Sequence, residues 1–153
     1  MRIASEGGSP SERPVRDAAL TYEKQFSYGG HILSDVFISH LALAVRDPVE
    51  STDFYLSVIG LEGVAYDRPW GKRLDLADGF MLALIEGDPL PPETRSAIHF
   101  GCALDGRDEV VRKREQLRSA GVTEIEWEDA SGYTGVKVHD PDGYVVELSY
   151  DLT

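Results

Sequence analysis

The chain has 153 residues, of which 42% are hydrophobic and 27% charged. That usage excludes a fibrous, collagenous or wholly disordered protein and suits one ordinary domain. Its 27 acidic against 15 basic residues leave a net charge of −12, which argues against nucleic acid or an anionic membrane surface as partner. The single cysteine, Cys102, cannot form an intramolecular disulfide, and no stretch reads as a membrane span or signal core, so the cytoplasm is the expected compartment.

Residues 1–36 contain paired glycines, two prolines and scattered charges without a sustained period, and read as an N-terminal extension. His31, after Gly29-Gly30, is expected in a solvated loop. From Phe37 onward the chain runs through one pattern twice. The first pass opens with the strand ISHLALAV at 38–45. Asp47-Pro48-Val49-Glu50 then combines an N-cap acid, a proline at the first helical position and a glutamate three residues after the cap. A helix is predicted from there to Gly60, with Val49, Tyr55, Leu56 and Ile59 on its buried face. Strands follow near 61–66, 72–77 and 80–86, the last two joined at Asp78-Gly79.

A proline-rich stretch, 87–96, reads as the linker to the second pass. That pass opens with the strand AIHFGCAL at 97–104, and a helix begins at Asp105–Asp108 and stops at Gly121. Glu109 with Lys113 and Asp108 with Arg112 are its expected i,i+4 pairs. Strands near 122–127, 134–139 and 143–149 complete it. His40 and His99 lie 59 positions apart, Gly60 and Gly121 61, and Gly79 and Gly143 64. The expected architecture is α+β: two tandem βαβββ modules, at 37–86 and 97–151 of a domain spanning 37–153, forming a cupped eight-stranded mixed sheet with helices on the outer side.

Successive strand side chains point to opposite faces, so each strand divides into two strips. Leu41, Leu43 and Val45 form a bulky strip that belongs under the helix, and His40, Ala42 and Ala44 form the other. Phe100, Cys102 and Leu104 stand against His99, Gly101 and Ala103, and Tyr144, Val146, Leu148 and Tyr150 against Val145, Glu147 and Ser149. Strips with one polar group among small neighbours would leave voids in a core, each costing on the order of 1 kcal/mol. They suit a cavity in which two imidazoles and a carboxylate hold a divalent metal with open coordination positions.

Four stretches carry a resemblance: His40 in ISHLALAV, FYLSVIGLE from Phe54 to Glu62, His99 in AIHFGCAL, and DPDGYVVEL from Asp140 to Leu148. Residues 37–151 resemble the vicinal oxygen chelate superfamily, which includes glyoxalase I, extradiol dioxygenases, fosfomycin-resistance transferases and bleomycin-binding proteins. The resemblance implies paired modules cupped around one divalent ion (iron, manganese, nickel or zinc), often in a homodimer whose modules pair within or between chains. By position, His40, His99 and Glu147 look like the metal ligands. The place of a fourth ligand, found in glyoxalase I, holds Ala83, which disfavours four-ligand members. Fosfomycin transferases have a threonine where this chain has Ala42, and extradiol dioxygenases a tyrosine where it has Lys137.

The function these features imply is a divalent-metal-dependent enzyme of dioxygenase, lyase or isomerase type acting on a small oxygen-chelating substrate, with the metal stabilising an oxyanion. Lys137 is the candidate for holding an oxyanion or substrate carboxylate, and Tyr133 is a second catalytic candidate. Trp70 could wall the pocket, His139 is expected to serve the turn, and Cys102 to lie in the core. The alternative is a metal-free small-molecule or drug-binding protein, for which a net charge of −12 suits a cationic ligand.

Overall fold

The structure is a computed structural model that describes residues 38–152 and the short strands at 27–28 and 31–32. It divides into two units, Met1–Phe37 and Ile38–Thr153. In the first, β1 (Ser27–Tyr28) and β2 (His31–Ile32) pair antiparallel, so the backbone of His31 lies in a strand opposite Tyr28 and not in a loop. The rest of the predicted extension lies outside the described residues.

The second unit contains the repeat. In order it has β3 (His40–Val45), α1 (Pro48–Asp53) continued by a π-helical segment (Phe54–Ile59), β4 (Gly63–Arg68), β5 (Gly71–Leu76) and β6 (Met81–Glu86). There follow α2 (Pro92–Arg95), β7 (His99–Ala103), α3 (Arg107–Ser119), β8 (Glu124–Ala130), β9 (Tyr133–His139) and β10 (Val145–Asp151). The eight strands of this unit form two mixed sheets of four, ordered β3-β6-β5-β4 and β7-β10-β9-β8. Each module's first strand runs parallel to its last, and the other pairings are antiparallel. The first strands, β3 and β7, are sheet edges.

Asp47 caps the first helix, accepting from the N–H groups of Val49 at 2.8 Å and Glu50 at 3.2 Å, and Gly60 ends it at φ 84°. Between them the winding changes. The π segment takes more residues per turn, which shifts the buried face from the one expected of a uniform α-helix. Tyr55 and Ile59 are buried as predicted, whereas Phe54 joins them and Val49 is 56% exposed. Within α3 Arg112 pairs with Glu109, an i,i+3 contact at 3.3 Å, and Arg107 with Asp108 at 3.6 Å, and among the described residues neither expected i,i+4 pair forms. The linker contains a one-turn helix the sequence reading missed, begun by Pro92 and bearing Glu93 and Arg95 at its favourable ends.

The bulky strips face the core: Leu43, Val45, Tyr144, Val146 and Leu148 are buried, and Leu41, Phe100, Cys102, Leu104 and Tyr150 pack half-buried against them. Tyr55, Leu74, Leu84, Val110, Val136 and Leu148 belong to one apolar cluster built from both modules. The joint between modules is polar as well. Tyr55 donates to Asp140 Oδ2 at 2.7 Å, while Asp140 Oδ1 accepts from the N–H groups of Asp142 and Tyr144 at 2.9 and 2.8 Å. Asp142, buried, takes the Arg46 N–H at 3.2 Å and pairs with Arg46 Nε at 2.9 Å. The Tyr144 hydroxyl donates to the Ala44 carbonyl at 3.0 Å. The second module's turn therefore grips the start of the first module's helix, and both sheets turn their small-residue strips away from the shared core.

Candidate functional site

Strand register sets out both open faces in rows. On the second sheet one row runs His99, Val145, His139, and the next runs Gly101, Glu147, Lys137, Glu126. On the first sheet the matching rows are His40, Met81, Asp75, Val64 and Ala42, Ala83, Arg73, Tyr66. His40 and His99 thus hold equivalent corners, Ala83 stands where the second module has Glu147, and Arg73 where it has Lys137.

Around Glu147 a built cluster forms. His99 Nε2 stands 3.1 Å from Glu147 Oε2, with the Glu147 side chain only 13% exposed. The Tyr133 hydroxyl donates a very short hydrogen bond to Glu147 Oε1. Tyr133 reaches it by lying along its own strand over Gly135, where any side-chain carbon would collide with the phenol. Burial first, and then the bond to the Glu147 carboxylate, push the Tyr133 hydroxyl above its ordinary pKa, so it stays a donor at neutral pH. Lys137 is the cross-strand neighbour of Glu147, but its ammonium lies 3.2 Å from Glu126 Oε1.

His40 is not part of this cluster. It is exposed on the other sheet, its Nδ1 3.1 Å from the Ser39 hydroxyl. Among the described residues no three His, Cys, Asp or Glu side chains are grouped to hold one ion. The donors that do meet fit a metal: metal–nitrogen and metal–oxygen bonds run about 2.0–2.2 Å, so groups 3.1 Å apart can share one ion. An imidazole and a carboxylate are also the donor types that borderline divalent ions take.

The family model for the glyoxalase/bleomycin resistance protein/dioxygenase superfamily matches residues 37–148. The chain belongs to that superfamily. None of the curated proteins matches the chain in sequence. Among solved structures, the genomically encoded fosfomycin resistance protein FosX from Listeria monocytogenes superposes with a TM-score of 0.65 at 23% identity, over 76% of this chain and 93% of that one. FosX has also been solved in complex with Mn(II) and sulfate ion. The lactoylglutathione lyase of Agrobacterium tumefaciens gives 0.58 at 23% identity, covering 76% and 94%. TnmS3, an antibiotic-binding protein from Streptomyces sp. CB03234, gives 0.60 at 19%, covering 78% and 98%. These likenesses show the superfamily fold of paired βαβββ modules.

Two side chains on the open faces escaped the sequence reading. His139, expected to serve the turn, lies in the row of His99, and its Nδ1 is buried with no hydrogen-bond partner among the described residues. Arg73 occupies the centre of the first sheet's face. Strand alternation would have found both had β5 and β9 been divided into strips like the other strands. Trp70 is 38% exposed at the β4–β5 turn. Cys102 packs against the core as expected, and burial pushes its thiol up to about 11. Among the described residues no helix is long and apolar enough to cross a membrane.

Proposed function

We propose that this superfamily member is a divalent-metal-dependent enzyme acting on a small oxygen-chelating substrate, with its metal held by His99 and Glu147 of one chain and His40 of a second copy. The observation that carries this reading is the pair His99–Glu147, 3.1 Å apart on an open face with Gly101 and Ala103 as neighbours. A homodimer supplies the missing donor. β3 and β7 each present an unpaired edge, an arrangement that invites strand-to-strand association. Each of those edges begins with a histidine on the open face, so β3 of one copy beside β7 of the other brings the two imidazoles to one place. The first sheet's face also exposes Ile38, Val64, Tyr66 and Ile85, apolar surface of the kind that interfaces and ligands cover.

Bound there, a divalent ion of iron, manganese, nickel or zinc supplies a Lewis acid for a developing oxyanion. The chain's own residues do the rest. Tyr133 fixes the rotation of the Glu147 carboxylate by bonding one oxygen, which leaves the other toward His99. Lys137, next to Glu147 in the sheet, supplies an ammonium for a substrate oxyanion or carboxylate, with Glu126 holding its Nζ meanwhile.

The test is metal content of tag-free protein purified without chelators. About one equivalent per chain is expected, falling to nearly none in His99→Ala and in His40→Ala, since a three-ligand site that loses one protein ligand binds far more weakly. Co-expressing the two variants sharpens the result: a site shared between chains regains one intact set per heterodimer, whereas a site within one chain regains none. A second reading, metal-free binding of a cationic drug or metabolite, is favoured by Glu147, Glu126 and Glu128, which lie in two adjacent rows of the second sheet's open face, and by the net charge of −12. Wild type that takes up no added ion but binds a cationic glycopeptide would establish it instead.

A further inference from the structure

We infer that Arg73 holds an anionic group of the substrate, so that the site takes a chelating oxyacid carrying a second, distal carboxylate or similar oxyanion. This deepens the reading above and rests on it. Arg73 occupies the place that Lys137 has in the second module, directly opposite Ala83, where the second module has its carboxylate. Ala42 and Ala83 complete the row toward the β3 edge, so the row's own side chains between Arg73 and the strand that carries His40 are methyls, with Ala83 buried among its neighbours. Two strand spacings, about 10 Å of backbone, separate Ala42 from Arg73. A small substrate and an arginine side chain bridge that span together.

The guanidinium is set for this use. It is tethered through Nε alone, 2.6 Å from Asp75 Oδ1, and no other hydrogen bond of its side chain is formed among the described residues. Both Nη groups therefore remain to donate, in the planar fork that matches a carboxylate. Asp75 sits two residues along the same strand, so it orients the fork without covering it. Tyr66 is the next residue of the row, exposed, and offers an apolar wall to the body of the ligand. The contrast with Lys137 is chemical: in the second sheet the same row contains two glutamates, Glu147 and Glu126, around one ammonium. In the first sheet the row itself contains no acid, and the one carboxylate that Arg73 meets, Asp75, lies in the next row and holds only its Nε.

The experiment uses cobalt(II)-loaded protein and two probes, glycolate and malate, which share an α-hydroxycarboxylate chelate and differ in the distal carboxylate. Binding is followed by the visible cobalt spectrum. Wild type is expected to prefer malate by about tenfold more than Arg73→Gln does, the value of a charge-assisted contact, with glycolate affinity equal in the two proteins. Arg73→Lys should retain part of the preference. An unchanged malate preference in Arg73→Gln overturns the inference. A wild type that shows no bound-cobalt spectrum overturns the metal reading. Calorimetric titration of the metal-free protein with malate then decides Arg73 alone: binding lost in Arg73→Gln supports the anion subsite, and binding absent from wild type or unaffected by the substitution removes it.

Discussion

The two turns that close the last hairpin of each module make an informative pair. Asp78-Gly79 in the first module is exposed, and among the described residues the Asp78 side chain bonds only the nearby Phe80 N–H, at 2.9 Å. Asp142-Gly143 in the second is buried or half-buried, and Asp142 holds Arg46 and Ser51 across the module joint. One local motif thus serves as a plain hairpin turn in one place and as the joint of the domain in the other. The open faces differ in the same way: equivalent rows carry Ala83 and Arg73 on one sheet, Glu147 and Lys137 on the other. Repetition sets the scaffold, and the chemistry lies in the positions where the copies have diverged.

The largest effect expected from breaking this comparison is at the buried joint. Asp142→Ala leaves the Arg46 N–H without its acceptor and should cost about 2–4 kcal/mol in urea denaturation, while Asp78→Ala, removing one exposed turn bond, should cost under about 1 kcal/mol. Tyr55→Phe removes the hydroxyl that Asp140 accepts, and about 1–2 kcal/mol is expected from the same measurement.

Two glycines sharpen the contrast within the second sheet. Gly135→Ala forces Tyr133 off its place over the strand and should destabilise by roughly 1–3 kcal/mol, as overpacking does. Gly101 has open space where a side chain would go, so Gly101→Ala should change stability by less than about 0.5 kcal/mol. Equal effects at the two sites would show that Tyr133 does not lie over Gly135.

The smallest expected effect is a pH dependence of opposite sign in two carboxyl groups. Burial raises the Asp140 carboxyl above its ordinary range, so the folded protein binds that proton more tightly than the unfolded chain. Its contribution therefore grows as pH falls from neutral through the raised folded value toward the unfolded value near about 4. Glu124 is held low by its hydrogen bonds to Arg114 and Arg118, so its contribution is present above the unfolded value and is lost as pH falls through the folded one. Stability measured from pH 7 to 3 should lose its Asp140 component in Asp140→Asn and its Glu124 component in Glu124→Gln.

Much of the architecture was legible because it rests on near-neighbour chemistry. The caps at Asp47 and Gly60, the hairpin glycines and the alternation around His40, His99 and Glu147 depend on a few consecutive residues and survive any packing. The π-helical segment was not legible, since the spacing of Tyr55 and Ile59 fits an α-helical face as well. Alternation alone also puts Arg73 with Gly71 and Asp75 on one side of β5, and His139 with Gly135 and Lys137 on one side of β9, but which side is open depends on how the sheets pack.

By itself, then, the sequence determined the order of the two modules' strands and principal helices, the twofold repeat, the core-facing strips and the donor types on the open ones. Tertiary structure alone decided that Tyr55 meets Asp140, 85 positions away, that Tyr133 passes over Gly135 to reach Glu147, and that His40 stands on a different sheet from His99. The physical reason is range. Capping, turns and strand alternation are set within a few residues, whereas the meeting of distant side chains depends on how two apolar faces pack, and no local pattern records that.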